Sequence, residues 1–273
     1  MRRKLGDGIA YLVLICGAIM MVFPFLWMFL CAFKTHYEVT QYPPQFLPEH
    51  FSLDNFITAF SMAPFLKYFA NSLIVMVASV VCTTFTTILG AFAFSRLRFP
   101  GREVVFSILL SLMMIPFEML IITNYTTIVD MGLYNKLPAL VLPFISSIFY
   151  TYILKGFFDT VPESLYYSAR IDGASNWRYL WRIMVPLARP SLVTISLLNA
   201  LSSWNSFMWP LYITSDAASR TLPYGLQVFT TEAGSSPELL MAASTVVVLP
   251  MIILFIFARK FIVTGVARGG LKG

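Results

Sequence analysis

The chain has 273 residues, of which 58% are apolar and only 12% charged, whereas soluble domains run about 45–50% apolar and about 25% charged. A water-soluble fold of this length cannot hide that much apolar surface, and the 16% aromatic content excludes disorder, which goes with few aromatics and many charges. The formal charge of +6 therefore belongs to a protein that faces lipid, and its meaning lies in where the basic residues fall.

Crossing about 30 Å of hydrocarbon takes about 20 apolar residues per helix. Six runs are long enough, at 9–33, 68–94, 104–122, 137–154, 192–210 and 239–257. The first follows Arg2-Arg3-Lys4. It is too long for a signal-peptide core and no small-residue cleavage site follows it, so it reads as a span. Pro43-Pro44 and Pro48 stiffen the loop after it. Pro24, Pro116, Pro143 and Pro250 fall inside runs, where neighbouring helices can satisfy the freed carbonyls.

Of the 19 Lys and Arg, fifteen cluster at alternate ends of these runs. They are Arg2, Arg3 and Lys4; Arg96, Arg98 and Arg102; Lys155, Arg170, Arg178, Arg182 and Arg189; and Arg259, Lys260, Arg268 and Lys272. The opposite loops hold only Lys34, Lys67, Lys136 and Arg220. The positive-inside rule then puts both termini in the cytoplasm. The basic charge is a topology signal, and no nucleic-acid partner is expected.

Segment 155–191, between runs four and five, is long for a connector. Thr160 and Glu163 have capping-box spacing, and Pro162 suits a first helical turn. Asp172-Gly173 breaks the helix, because glycine accepts positive φ without steric cost, and Ser175 can cap a second one. In that second helix Trp177, Leu180, Trp181 and Met184 recur at i, i+3, i+4 and i+7. Pro186 and Pro190 are expected to end the segment before the fifth run. Two readings stay open: an amphipathic element lying on the bilayer surface, or a short helical corner offered to a groove on a cytoplasmic partner.

Chemistry-bearing motifs are missing. Cys16, Cys31 and Cys82 form no disulfide framework and no CxxC spacing. His36 and His50 are the only histidines, and neither a phosphate loop nor a dinucleotide turn occurs. No catalytic, cofactor-binding or metal-binding residue is expected, and the chain does not read as an enzyme.

Tyr167-Ser168-Ala169, Asp172-Gly173-Ala174 and Ile183-Met184-Val185-Pro186 resemble the cytoplasmic "EAA" loop of ABC-importer permeases. Tyr167 and Ser168 depart from its usual Glu-Ala. Other matches follow in order: Asn71-Ser72, Arg96-Leu97-Arg98-Phe99-Pro100-Gly101, Gly132-Leu133 with Asn135, Trp204-Asn205, Trp209-Pro210-Leu211, Thr221-Leu222-Pro223 and the tail Gly269-Gly270-Leu271-Lys272-Gly273. Together they are similar to maltose-type carbohydrate permeases, in the shorter of the two partner subunits.

The resemblance implies an all-α polytopic membrane protein with six transmembrane helices and the type I ABC importer permease fold. Residues 1–66 would hold the first helix and its outer loop, 67–259 the transmembrane type-1 domain, and 260–273 a cytoplasmic tail. It implies four kinds of partner beside membrane lipid: a homologous second permease subunit, a cytoplasmic ABC ATPase dimer that uses the ATP and Mg, an extracytoplasmic solute-binding protein, and a sugar-type solute. The ATPase-coupling residues would be Tyr167, Ser168, Ala169, Asp172, Gly173, Ala174, Trp177, Trp181 and Pro186, with Gly270, Lys272 and Gly273 of the tail.

For the translocation path the candidates are Glu118, Asn199, Trp204 and Asn205. Glu118 falls in the third run, where an ionisable group costs about 2.5–3.5 kcal/mol on insertion scales and usually faces a cavity. It either lines the path, is paired within the bundle, or lies near the outer interface. Asn199, Trp204 and Asn205 either glue helices or bind a solute through planar polar and aromatic faces. A permease of the same type for glycerol phosphate or peptide, and a secondary transporter, are the alternatives.

Overall fold

The structure, a computed structural model, describes residues 2–231 and 236–269, and every regular element among them is helical. The expected tail residues Gly270, Lys272 and Gly273 lie outside the described residues. Among the described residues, three helices are apolar and long enough to cross a membrane unbroken, and three sharply bent helix pairs raise the number of spans to as many as six.

The unbroken spans come first, second and last. Helix α1 (Arg2–Cys31) buries none of its most apolar stretch within the chain. Two short helices follow, α2 (His36–Thr40) and α3 (Asp54–Met62). Helix α4 (Phe65–Arg96) is about 48 Å long at 1.5 Å per residue.

The third run differs from the straight span expected over 104–122. Helix α5 (Arg102–Leu112) stops after 11 residues, about 16 Å and too short to cross. Pro116 is extended and offers no N–H to continue the ladder. A 3-10 turn (Phe117–Leu120) and α6 (Ile121–Asp130) then leave at 91°.

The fourth run also breaks. Helix α7 (Leu137–Val141) runs into a 3-10 turn (Leu142–Phe144) around Pro143, and α8 (Ile148–Asp159) leaves at 48°. The break frees carbonyls, and threonines of α4 reach them. Thr83 Oγ1 donates to Phe144 O at 2.7 Å and Thr86 Oγ1 to Ile145 O at 2.6 Å. Side-chain hydroxyls thus satisfy backbone that water cannot reach in a bilayer. A Cβ on Gly90 of α4 would come within 3.1 Å of Thr151 Cγ2 on α8, so glycine permits that close helix approach.

Next come α9 (Glu163–Ile171), α10 (Asn176–Tyr179), a π-helical stretch (Leu180–Met184) and α11 (Val185–Leu187). The segment ends between Pro186 and Pro190, with Pro186 itself inside the last helical turn. The wider π turn lies directly before Pro186 and carries the helix past the missing donor. The turn comes after Leu187, where α12 (Arg189–Trp204) leaves at 80°. Four helices complete the order: α13 (Met208–Ile213), α14 (Leu222–Gly225), α15 (Val228–Thr231) and α16 (Pro237–Gly269).

The chain divides into two units. One comprises residues up to Leu66 with Gly225–Ile252. In it Lys34 is almost fully buried, donates to Gln45 O at 2.6 Å and lies 4.2 Å from the Trp27 ring. The other comprises Lys67–Tyr224 and the chain from Ile253. One of its cores gathers Phe92, Leu154, Phe158, Tyr179, Leu180 and Met184. A second gathers Val75, Ile128, Leu140, Trp209 and Ile213.

Candidate functional site

Segment 155–191 forms a helical corner. Helix α9 ends in a Schellman arrangement: Ala174 N–H donates to Ala169 O at 2.9 Å and Gly173 N–H to Arg170 O at 3.1 Å. Gly173 has φ +76°, the left-handed conformation that favours glycine. Ser175 caps α10, its hydroxyl accepting from Arg178 N–H at 3.2 Å. Thr160 does not cap α9. It still belongs to the end of α8, where its hydroxyl donates to Phe157 O at 2.7 Å, and Pro162 takes the cap position.

The corner has one anchored face and one open face. Ala169, Tyr179, Leu180 and Met184 are buried in the core that also holds Leu154 and Phe158. Trp181 is half-buried and stacks on Phe85 at 6.2 Å, with Trp177 edge-on to it at 5.5 Å. Ala174 and Pro186 are likewise half-buried. Ile171 at 86% and Trp177 at 58% exposure stand in the open, beside exposed Tyr167, Ser168, Asp172 and Gly173. On the i, i+3, i+4, i+7 face Leu180 and Met184 are buried, Trp181 is half-buried and only Trp177 is exposed, so these residues are neither all core nor all surface.

Two arginines just before α5, at the end of α4, fix the corner, and neither was among the expected coupling residues. Buried Arg96 donates through Nη2 to Phe158 O and Val161 O, each at 2.6 Å. Phe158 O is an end-of-helix carbonyl of α8, and Val161 O lies just beyond the cap of that helix. Beside it Ser95 Oγ donates to Asp159 Oδ1 at 2.6 Å, and Asp159 pairs with Lys155 at 2.8 Å. Arg98 donates to Tyr167 Oη at 2.7 Å, and Tyr167 Oη donates to Glu163 Oε2 at 3.2 Å. The signal in the sequence was the Arg96-Leu97-Arg98 run, which reads equally as topology charge.

The path candidates separate. Asn199 is 7% exposed and lines a cavity of about 260 Å³ together with Ser79, Ser202, Ser203, Ser206 and Thr221. Asn199 Oδ1 and Thr221 Oγ1 are buried with no hydrogen-bond partner. Trp204 is buried and meets Phe69 edge-on at 5.7 Å, which is packing. Asn205 is exposed at the C-cap of α12. Glu118 is exposed in the 3-10 turn after Pro116 and is not part of the cavity lining. The serines went unnoticed although Asn199, Ser202, Ser203 and Ser206 follow the i, i+3, i+4, i+7 pattern of one helix face.

Other polar residues of the matched motifs hold backbone. Asn71 Nδ2 donates to Ala218 O and Arg220 O, both at 2.9 Å, and Ser72 Oγ accepts from Leu222 N–H at 2.7 Å. Asn135, at φ 59°, accepts from Ser215 and Asp216 N–H through Oδ1. In the first unit Glu38 closes a capping box with Thr35 and accepts from Glu49 N–H at 2.7 Å. The N–H groups of Glu49 and Thr35 hold the Glu38 carboxyl below its usual range, against the opposing effect of burial. His36 Nδ1 lies 2.9 Å from Glu238 Oε2.

Known proteins match this arrangement along nearly its whole length. Residues 83–268 match the family described as binding-protein-dependent transport system inner membrane component. The inner membrane ABC transporter permease protein YcjP of Escherichia coli (strain K12) is 33% identical over 259 residues, covering 93% of this chain and 92% of that protein. The arabinooligosaccharides transport system permease protein AraQ of Halalkalibacterium halodurans is 32% identical over 279 residues and 100% of both chains. A chain of a bacterial ABC transporter involved in the import of the acidic polysaccharide alginate superposes with a TM-score of 0.84 at 24% identity, over 95% of this chain and 98% of that one. The chain belongs to the family of binding-protein-dependent inner membrane permeases, which are transport proteins and not enzymes.

Proposed function

We propose that this inner membrane permease is one half of the translocation path of an ATP-driven importer for a sugar or oligosaccharide, and that its α9–α10 corner is where the ATPase takes hold. The observation that carries the reading is the corner itself. Ile171 and Trp177 are bare, while Arg96, the Schellman turn and the buried Tyr179 fix the backbone beneath them. A coupling element needs an apolar contact that a partner can grip on a support stiff enough to transmit a displacement.

The remaining parts of the assembly follow from that role. ATP and Mg would be held by the cytoplasmic ATPase pair, so this chain contributes movement and no bond chemistry. A second, homologous permease would complete the path, and a solute-binding protein would deliver cargo from the far side. The basic residues favour an orientation with both termini and the corner in the cytoplasm. The tail residues Gly270, Lys272 and Gly273 would reach the same ATPase interface. AraQ is named for arabinooligosaccharide transport, which favours a sugar as cargo.

The test is purification of this chain with its neighbouring permease and ATPase, reconstituted in liposomes with the binding protein. ATP hydrolysis stimulated by sugar-loaded binding protein, with uptake of the sugar, is expected. Retention of no ATPase would contradict the reading.

A further inference from the structure

We propose that loop 41–51, which follows α1 and α2, is a lipid-contact element. It lies in the membrane interface at the C-terminal end of α1, which is the outer leaflet in the orientation proposed above. The observation that carries the proposal is how far the loop reaches back along the span. The apolar part of α1 runs over Ala10–Cys31, 22 residues, or about 33 Å at 1.5 Å per residue. That matches about 30 Å of hydrocarbon, so Cys31 marks the edge of the apolar layer. The Phe46 ring nevertheless lies 5.8 Å from the Trp27 ring and 6.0 Å from the Phe23 ring. Those two residues stand about 6 Å and about 12 Å back from Cys31 along the helix.

The loop is built for that depth. The Lys34 amine donates to Gln45 O at 2.6 Å and lies 4.2 Å from the Trp27 ring. Carbonyl and ring together satisfy the buried cation and tie the returning backbone to the span. Residues 41–48 carry no charge. Pro43, Pro44 and Pro48 have no N–H to leave unpaired beside hydrocarbon. The flanking carboxylate, Glu38, is held at Thr35, past the end of α1, and there it takes the Glu49 N–H at 2.7 Å.

The outward side selects the partner. Tyr42 is 96% exposed, Phe51 68% and Leu47 62%. Tyrosine beside apolar side chains is the pattern of an interfacial anchor, which sits about 5–10 Å into the boundary between headgroups and acyl chains. The surface is continuous with α1, whose most apolar stretch buries nothing within this chain. The occupant is therefore phospholipid, and another subunit or bulk water are the outcomes that would say otherwise.

The experiment places a photoreactive residue at Leu47 in the intact transporter, reconstituted in phospholipid with its second permease, ATPase and binding protein. Tyr42 is the second position should the first variant not assemble. After irradiation, the peptide that holds the label should gain the mass of one phospholipid. Attachment to the second permease or to the binding protein overturns the proposal, and so does consumption of the label by water alone. Either of these results leaves the importer reading standing, because sugar uptake and ATPase retention are measured separately in the same preparation.

Discussion

Arg98 donates a 2.7 Å hydrogen bond to the phenolic oxygen of Tyr167, 69 positions away in sequence. Tyr167 occupies the place where the resembling loop usually has Glu, and Glu163 lies within 3.2 Å of the same phenol. Glu163 stands one helical turn before Tyr167, and the phenol bridges it to the arginine, since Arg98 and Glu163 are themselves 4.0 Å apart. All three side chains are solvent-exposed, so the bridge orients α9 and adds little to stability. Tyr167→Phe should cost no more than about 1 kcal/mol in unfolding, while ATPase retention falls. Tyr167→Glu, which can pair with Arg98 directly, should retain the ATPase better than Tyr167→Phe. Equal retention by both variants would show that the bridge has no part in docking.

Gly173 should tolerate no β-branched residue. A Cβ there meets nothing within 4 Å, so the penalty comes wholly from φ +76°, about 1–3 kcal/mol for a strained backbone. Gly173→Val should insert in the membrane in normal amounts but retain the ATPase poorly or hydrolyse ATP uncoupled from uptake. Gly173→Asn, which visits this conformation more readily, should fall between valine and wild type. Normal coupled uptake by Gly173→Val would remove the corner from the mechanism.

Arg96 is the buried pin of the same corner. Arg96→Leu removes the guanidinium donor from both carbonyls; Phe158 O keeps the Val161 N–H at 3.1 Å, while Val161 O loses its side-chain donor, at a cost of about 1–3 kcal/mol if it is left unsatisfied. Hydrogen exchange across 155–165 should accelerate, while exchange in the first unit is unchanged. No change in exchange at 155–165 would show that the carbonyls find other partners.

Glu38 gives a pH dependence with a definite sign. Its carboxyl is held below the usual value of 4.5 by the Glu49 and Thr35 N–H groups. A depressed folded-state value means that its contribution is present above the ordinary value and is lost as pH falls through the folded one. Exchange protection of segment 34–50 should therefore hold at neutral pH and fall only under acid conditions below 4.5. Glu38→Gln should lose protection already at neutral pH and flatten the profile. A wild-type profile unchanged by Glu38→Gln would contradict the assignment.

Much of the corner was legible because its signals are local. Gly173 and Ser175 act on backbone within a few residues, and their turn and cap form as the residue types dictate. Thr160 misled because the end of α8 and the start of α9 compete for it, and α8 holds it. Spans three and four looked continuous because hydropathy averages over a window and does not register that Pro116 and Pro143 lack a donor. Arg96 and Asn199 could not be placed from sequence. Their partners, Phe158 and the cavity wall from Ser79 to Thr221, are brought near only by tertiary packing.

Topology can be tested separately. Cysteines at Asp54 and Asp216 should react with impermeant reagents added outside the cell, and one at Arg178 should not. The reverse pattern would overturn the orientation proposed from the basic residues.

The central claim is that the α9–α10 corner meets an ATPase and not the bilayer surface, and Ile171, 86% exposed, is the place to ask. A photoreactive residue substituted for Ile171 in the intact transporter should yield an adduct with the ATPase subunit. An adduct with lipid alone, in a preparation that still hydrolyses ATP and imports its sugar, would contradict the account and make the corner an amphipathic element resting on the membrane.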